Sequence, residues 1–443
     1  MTAVILANVV SEAIGPTSNS LSDDSLRANA ILAKRMIWLA ENDDILITPT
    51  PITRPFLDYT NFLKGGSDIV SLSTSPTPTE RPLPISKKDL DADSPLSNSL
   101  SLLASDRILC LKPFIGDEVS ICFAKFLGDV PVRFSNQNGR ASPEATRLFN
   151  DKAKFRQFAR SLGVPIASGS ICVNEQEMVD SVCKVLSVSD HAILKMARNS
   201  AGDGNSVISK SAEGSLQGAM RSVSVLEVDD NFIRAAVHDI GLVATKKEPV
   251  IVEAYIENES SIGVHFDIGI DRVELVGSAS ILLNPGYGGT YWSKSLIDDL
   301  PNDVLSWCQN LGDYAQENGY FGPLSVDVVR GKEVGFFACE VNGRHGSFSL
   351  VRAVSNSLGL EPDIKDGKRV VFSRSAVPIG IGFPDLVNLL ERRQLHFNSS
   401  SRRGVIVMSE GYEGNGPFDL LIVGSNLEDV KGIEHDVIKL SGT

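Results

Sequence analysis

Apolar residues recur along this chain in two rhythms. Apolar positions three and four apart predict helices over 28–41 (Ile31, Leu32, Met36, Leu39), 117–127, 145–162 and 299–317 (Val304, Trp307, Leu311, Tyr314, Ala315), with a further one at 349–358. Short β-branched or continuous apolar runs predict strands at 45–48, 107–111, 130–134, 192–196, 207–209, 249–255, 262–270 and 272–281. Strands alternate with helices up to about 144, which predicts a small α/β layer domain with a parallel sheet over 28–144. Residues 1–27 turn Ser/Asn/Asp-rich after a short apolar start and read as a flexible arm. The stretch 71–101 is broken by Pro76, Pro78, Pro82, Pro84 and Pro95 and reads as loop with at most short strands. A composition shift at 138–143 opens a second unit, 145–367. From 368 the strands expected at 370–372, 404–409 and 418–423 predict a small C-terminal α/β domain reaching 443. The expected fold class is therefore mixed, α/β and α+β.

Composition narrows the function. The 443 residues are 42% hydrophobic and 22% charged, the balance of a soluble globular protein. A net charge of −13 argues against a nucleic-acid or anionic-membrane partner, because those need a basic face. It leaves phosphate ligands open, since a few local donors suffice. The six cysteines (Cys110, Cys122, Cys172, Cys183, Cys308, Cys339) include no C-x-x-C pair, so neither a disulfide framework nor a zinc site is expected and a cytoplasmic location is. Glu12 and the lack of a basic segment before a long apolar run give no expectation of a secretory signal, and no run of about 18 apolar residues predicts a membrane span.

The densest chemistry lies between Asp327 and Arg344. Asp327 precedes Glu340 by 13 positions, and Asn342 and Arg344 follow Glu340 in steps of two. Apolar and β-branched neighbours predict two strands, with a turn between Gly331 and Gly335. A hairpin turning there sets Asp327 opposite Glu340. Alternation then puts Glu340, Asn342 and Arg344 on one face and Cys339 and Val341 on the other. Two carboxylates and an amide suit Mg²⁺, a hard cation usually completed by substrate phosphates, and the arginine suits a phosphate or a developing oxyanion.

Three more features line up with this hairpin. Lys152 sits in the helix 145–162, where a lysine alone is ordinary solvated surface. Lys195 ends an apolar strand just before a small-residue loop, Ser200–Asn205, whose backbone N–H groups can cradle phosphate. The segment V-I-V-E-A-Y-I-E-N-E ends a strand in acids. Such a strand end can bind adenine through its backbone, with Glu257 or Glu259 reaching ribose hydroxyls.

The ordered set of lysine, lysine with glycine loop, acidic strand end and hairpin resembles the ATP-grasp superfamily over about 145–358. The segments A-K-R-M-I-W-L-A, D-D-I-L-I-T-P and L-F-N-D-K-A-K-F-R-Q-F-A are further similar to pheganomycin-type peptide ligases, which carry a small extra C-terminal domain. The resemblance implies an ATP-grasp fold with an N-terminal pre-ATP-grasp domain, and a carboxylate–amine ligase that works through an acyl phosphate. It implies ATP and Mg²⁺, two ions of it, as cofactors, small-molecule or peptide carboxylate and amine substrates, and a homodimer as the common assembly. By matched position, Lys152, Lys195, Ser200, Gly202 and Gly204 contact phosphates. Glu253, Ala254 and Ile256 hold adenine, and Glu257 or Glu259 holds ribose. Asp327, Glu340 and Asn342 hold metal, while Arg344 with Lys195 serves catalysis. Two alternatives stay open: acyl transfer to a carrier protein, and a non-catalytic ATP-binding module. One departure from the pattern is Asp203 in the glycine loop. The loop 284–293 is a candidate for acceptor binding.

Overall fold

A computed structural model describes residues 2–15, 21–75, 77, 81–103, 108–199, 204–211, 216–283, 286–412 and 414–442. Its first sheet is parallel: β1 (Thr2–Leu6), β2 (Ile45–Thr48), β3 (Val70–Ser73) and β4 (Ile108–Pro113) in the order β3-β2-β1-β4. β1 and β2 are apolar and buried almost throughout, as strands covered on both faces must be. This corrects the expected arm over 1–27. The five apolar-rich residues at its start pair on both sides and form an inner strand, and the polar residues after them lead into a helix. That helix, Asp23–Lys34, starts earlier than the 28 expected, because Ser22 Oγ accepts from Ser25 N and Asp23 and Asp24 favour the positive end of the helix.

Other boundaries shift for local reasons. The stretch 71–101 holds a strand, a 3₁₀ turn (Lys87–Leu90) and a helix (Pro95–Leu102) whose Pro95 sits in the first turn, where proline is tolerated. The strand expected at 130–134 is a single bridge, Leu111 to Val132. The helix 145–162 is two helices, Pro143–Leu148 and Lys152–Ser161. Asp151 restarts the second by accepting from Ala153 N (2.8 Å) and Lys154 N (3.0 Å).

The second sheet has five strands in the order β5-β9-β6-β7-β8: β5 (Gly169–Cys172), β6 (His191–Met196), β7 (Asn205–Ser209), β8 (Arg221–Ser224) and β9 (Val250–Ala254). Helices Glu175–Leu186 and Asp230–Ile240 bury Val179, Val182, Ile233 and Val237 against it.

The third sheet is antiparallel, with eight strands in the order β14-β13-β10-β11-β12-β15-β17-β16. They are β10 (Asn258–Ile268), β11 (Val273–Leu283), β12 (Tyr287–Trp292), β13 (Gly322–Gly331), β14 (Gly335–Gly343), β15 (Val370–Val377), β16 (Gly404–Ser409) and β17 (Phe418–Gly424). The candidate acceptor loop at 284–293 is mostly strand β12, and Asn284 and Pro285 lie outside the described residues. Gly289 allows that strand to pair with β15, since a Cβ there would lie 2.3 Å from the Ser373 carbonyl oxygen.

The C-terminal strands extend this same sheet rather than forming a sheet of their own. One core runs from Ile5, Met36 and Trp38 through Val351 and Phe372 to Val405 and Ile422. Lys34 and Glu410 seal it with a buried ion pair at 2.9 Å, and Thr53 N donates to the same carboxylate at 2.9 Å. First and last segments thus pack as one body around the third sheet.

Candidate functional site

β13 and β14 form the hairpin that the spacing predicts, and Asp327 pairs with Glu340. The register then slips: Val328 pairs with Ala338, leaving Cys339 as an extra residue. The expected alternation therefore fails at Cys339, which lines the same cavity as Glu340 rather than the opposite face. Burial pushes its thiol up to about 11, so it stays protonated and unreactive at neutral pH.

The cavity measures about 910 Å³ and is walled by the second and third sheets and by the helix Asp23–Lys34. Its charged residues form a linked set. Lys152 Nζ lies 2.8 Å from Glu340 Oε2 and donates to Asn199 O at 2.8 Å. Asn342 Nδ2 lies 3.3 Å from Asp327 Oδ2 and 3.2 Å from Glu340 Oε1. Burial and the facing Glu340 hold the Asp327 carboxyl well above its usual range. Burial also acts to raise Glu340, but Lys152, Asn342 and Arg344 outweigh it and hold that carboxylate below its usual range. The pair is thus one site with a strong demand for positive charge. Among the described residues no three His, Cys, Asp or Glu side chains cluster as metal ligands. Two carboxylates and an amide whose oxygen can turn toward them still fit Mg²⁺, which takes its remaining ligands from water and substrate phosphate.

Arg344 donates to Asn150 Oδ1, and Asn150 Nδ2 donates to Gly343 O (3.0 Å) and Thr146 O (2.7 Å). Asn150, in the break between the two helices, therefore fixes the guanidinium beside the hairpin. His345 follows beyond the end of β14, lines the same cavity and is buried against Phe114 and Phe134.

On the second sheet Lys195 Nζ lies 2.6 Å from Glu253 Oε2, and Arg156 binds the other carboxylate oxygen. Burial works to lower the Lys195 pKa, but Glu253 more than offsets it, so the ammonium stays charged. This changes the expected part of Glu253: it is 5% exposed and both its oxygens are committed to cations, so its carboxylate orients Lys195 instead of meeting a ligand. The Ala254 and Tyr255 amides are used within the protein, by Ser168 O and His191 O. Among the described residues no acceptor takes the Ile256 amide. Ala167, Ile193, Ile256, Val329 and Phe337 line an apolar stretch of the cavity beside it.

Glu257 and Glu259 do not line the cavity. They are exposed and pair with Lys332 and Arg330, whereas Asn258 and Ser261 face the cavity from the same strand. Alternation on β10, disturbed by a register shift between Asn258 and Ser260, gives those two positions the inward direction. Ser200 and Gly202 lie outside the described residues. Gly204 is buried and packs where a Cβ would sit 2.5 Å from Asn199 Nδ2. Tyr287, from the candidate acceptor segment 284–293, lines the cavity, as do residues that local pattern could not find: Arg35, Asn138, Asp267 and Asp419, brought in from distant parts of the chain.

Comparison with known proteins bears on the fold. Residues 33–128 match the family model described as the pre ATP-grasp domain, and 385–437 match the PGM1 C-terminal domain. The biotin carboxylase of Campylobacter jejuni in complex with β-γ-ATP superimposes with a TM-score of 0.57 at 13% identity, over 97% of this chain and 89% of that one. The N5-carboxyaminoimidazole synthase of Aspergillus clavatus, in complex with ADP and 5-aminoimidazole ribonucleotide, gives 0.55 at 12% identity over 100% and 99%. The chain has the ATP-grasp fold. A third ATP-grasp-like neighbour, the biotin carboxylase domain of Hydrogenobacter thermophilus 2-oxoglutarate carboxylase with MgADP and bicarbonate, gives 0.52 at 12% over 96% and 86%. A search of curated proteins found no match. No described helix is long and apolar enough to cross a membrane.

Proposed function

We propose that this ATP-grasp chain is an ATP-dependent carboxylate–amine ligase that forms a peptide or amide bond through an acyl phosphate. The observation that carries the reading is the pairing of Asp327 with Glu340 across one hairpin, facing Lys152, Lys195 and Arg344 in a single cavity. The likeness to proteins solved with ADP, ATP and MgADP supports nucleotide as the ligand. Support for the peptide-ligase branch comes from the local segments similar to pheganomycin-type ligases and from a matched extra C-terminal domain at 385–437.

In this reading the purine lies against Ile193, Ile256 and Phe337, with the Ile256 amide and Ala254 backbone at its edge. Asn258 and Ser261 replace Glu257 and Glu259 at the ribose. Lys195, held by Glu253, and Lys152 meet the phosphates, and Gly204 keeps the backbone close. Asp327, Glu340 and Asn342 would hold Mg²⁺, which supplies charge neutralisation on the phosphates. A substrate carboxylate oxygen bonds to the γ-phosphorus as the bond to the ADP oxygen breaks. The amine nitrogen then bonds to the acyl carbon, inorganic phosphate leaves, and the amine loses a proton. The protein's share of both steps is positioning and charge. Arg344, fixed by Asn150, stabilises the negative oxygen of the second step, and donors of this kind are worth about 3 kcal/mol. The acyl phosphate is labile to water, so closure over the phosphates matters.

The test is ADP release in pools of carboxylates and amines, with mass spectrometry of the product. The reading requires ADP formation that depends on both a carboxylate and an amine, and its loss in Glu340→Gln. Wild-type turnover in that variant would remove Glu340 from the site.

A further inference from the structure

One wall of the cavity is built by none of the groups assigned above. Arg35 reaches it from the 3₁₀ turn Arg35–Leu39, Tyr287 from β12, Ser347 from the start of helix Ser347–Ser357, and Ala376 and Asp419 from β15 and β17. Arg35 is 2% exposed, yet weakly engaged. One terminal nitrogen lies 3.5 Å from Asp419 Oδ2, the other 3.4 Å from Ser347 Oγ, and Nε has no partner. A guanidinium carries five N–H donors, and buried donors are normally filled. Its ion pair with Asp419 and its contact with Ser347 both lie at the limit of hydrogen-bond length and leave N–H donors, Nε among them, without acceptors.

Its surroundings favour the same ligand. Ser347 opens an eleven-residue helix, whose first N–H groups lack acceptors inside the helix and carry partial positive charge. Tyr287 holds Ser347 by a hydroxyl–hydroxyl hydrogen bond. Asp419 is tied down from behind, since Ala376 N donates to its Oδ1 at 2.9 Å. Ala376 makes that bond from φ +54°, a left-handed conformation unfavourable for alanine, at the point where β15 slips register against β17. Strain of this kind persists where the surrounding structure over-determines it. Asp419 thus orients Arg35 without saturating it.

We propose that this wall is a carboxylate subsite for the amine substrate, in which Arg35, Ser347 and the first-turn amides of helix Ser347–Ser357 take that substrate's own, non-reacting carboxylate. The proposal rests on the ligase reading. Ser347 is three residues from Arg344, so their Cα atoms are at most about 11 Å apart. A molecule carrying its amine and its carboxylate within one or two residues spans that gap: a free amino acid or a short peptide with a free C-terminus. An amine without a carboxylate leaves Arg35 buried and unfilled, which is how a polar site rejects the wrong substrate.

The test uses the full chain with Mg²⁺ and a non-hydrolysable ATP analogue, and two random dipeptide pools, one with free and one with amidated C-termini. Retention of pool members by equilibrium dialysis is read by mass spectrometry. The expected result is at least a tenfold preference for the free pool, lost in Arg35→Gln and partly kept in Arg35→Lys, while both variants bind the ATP analogue like wild type. Equal retention of the two pools, retention of neither, or a preference that survives in Arg35→Gln overturns the subsite. Should Arg35→Gln fail to bind the analogue, Arg35→Lys alone decides, and an undiminished preference there also overturns it. Wild type that binds the analogue but shows no preference refutes this subsite and spares the ligase reading, whereas wild type that binds no nucleotide refutes both.

Discussion

Replacing Glu253 by Gln removes the one negative charge that faces both Arg156 and Lys195. The residue is 5% exposed, and Lys195 Nζ lies 2.6 Å from its oxygen. At an effective dielectric of about 20, two unit charges at that separation attract by about 6 kcal/mol. Desolvation offsets part of this, and breaking a buried pair from one side costs roughly 3–5 kcal/mol. Gln keeps the shape and can accept one hydrogen bond, but it leaves two buried cations uncompensated. The strands that carry the clamp are β6 and β9, so the loss falls on the second sheet. Native-state hydrogen exchange of their amides should speed up by roughly a hundred- to several-thousandfold, the same free energy expressed as a population of open states. Lys195 also loses the partner that keeps it charged, so affinity for the ATP analogue should fall as well. Glu257→Gln is the control: it breaks an ion pair with Lys332 that is open to water, and exchange should not change. Less than a tenfold change in β6 and β9 for Glu253→Gln would refute the view that this carboxylate is the buried support of Lys195.

Four further outcomes follow from the same geometry. Asn150→Ala should lower kcat by about a hundredfold while leaving KM for ATP unchanged, because Arg344 loses its anchor but the phosphate contacts stay; steady-state kinetics of ADP release would show the split. Asp151→Ala should cost about 1 kcal/mol of stability by urea denaturation and weaken ATP analogue binding, since it uncaps the helix that begins with Lys152. Burial holds the His345 imidazole down to about 3 from 6.5, so between those values the unfolded chain binds a proton that the folded one does not. Stability should therefore fall as pH drops below 6.5, by about 1.4 kcal/mol per pH unit from this residue, and His345→Leu should flatten the slope in denaturation series at several pH values. Cys339 should alkylate slowly at pH 8 and slower still with ADP present, because its thiol is both raised and inside the nucleotide cavity.

The parts of the site that sequence exposes are those set by local periodicity. The 13-residue spacing predicts the pairing of Asp327 with Glu340, because a hairpin converts sequence distance directly into register. The same logic fails one residue away: a bulge consumes Cys339 and turns it inward, and no propensity marks where a bulge falls. Lys152 is visible only as a lysine in a helix; its place at a helix start depends on Asp151 interrupting what looks like one amphipathic segment. Glu253 reads as a ligand-facing acid because its buried partner Arg156 is 97 residues away in sequence. Glu257 and Glu259 read as ribose ligands because they are acidic and near, but the register of β10 sends Asn258 and Ser261 inward. In the fold, β1 escapes a reading based on polarity of the first 27 residues, since five residues are too few to show a period. The C-terminal strands are recognisable one by one, yet nothing local tells that β15 pairs with β12.

The most direct test is a crystal structure of the chain with Mg²⁺ and a non-hydrolysable ATP analogue. The account predicts the purine against Ile193 and Phe337, and metal between the phosphates and the oxygens of Asp327, Glu340 and Asn342. A nucleotide bound elsewhere, or those three side chains turned away from its phosphates, would contradict it.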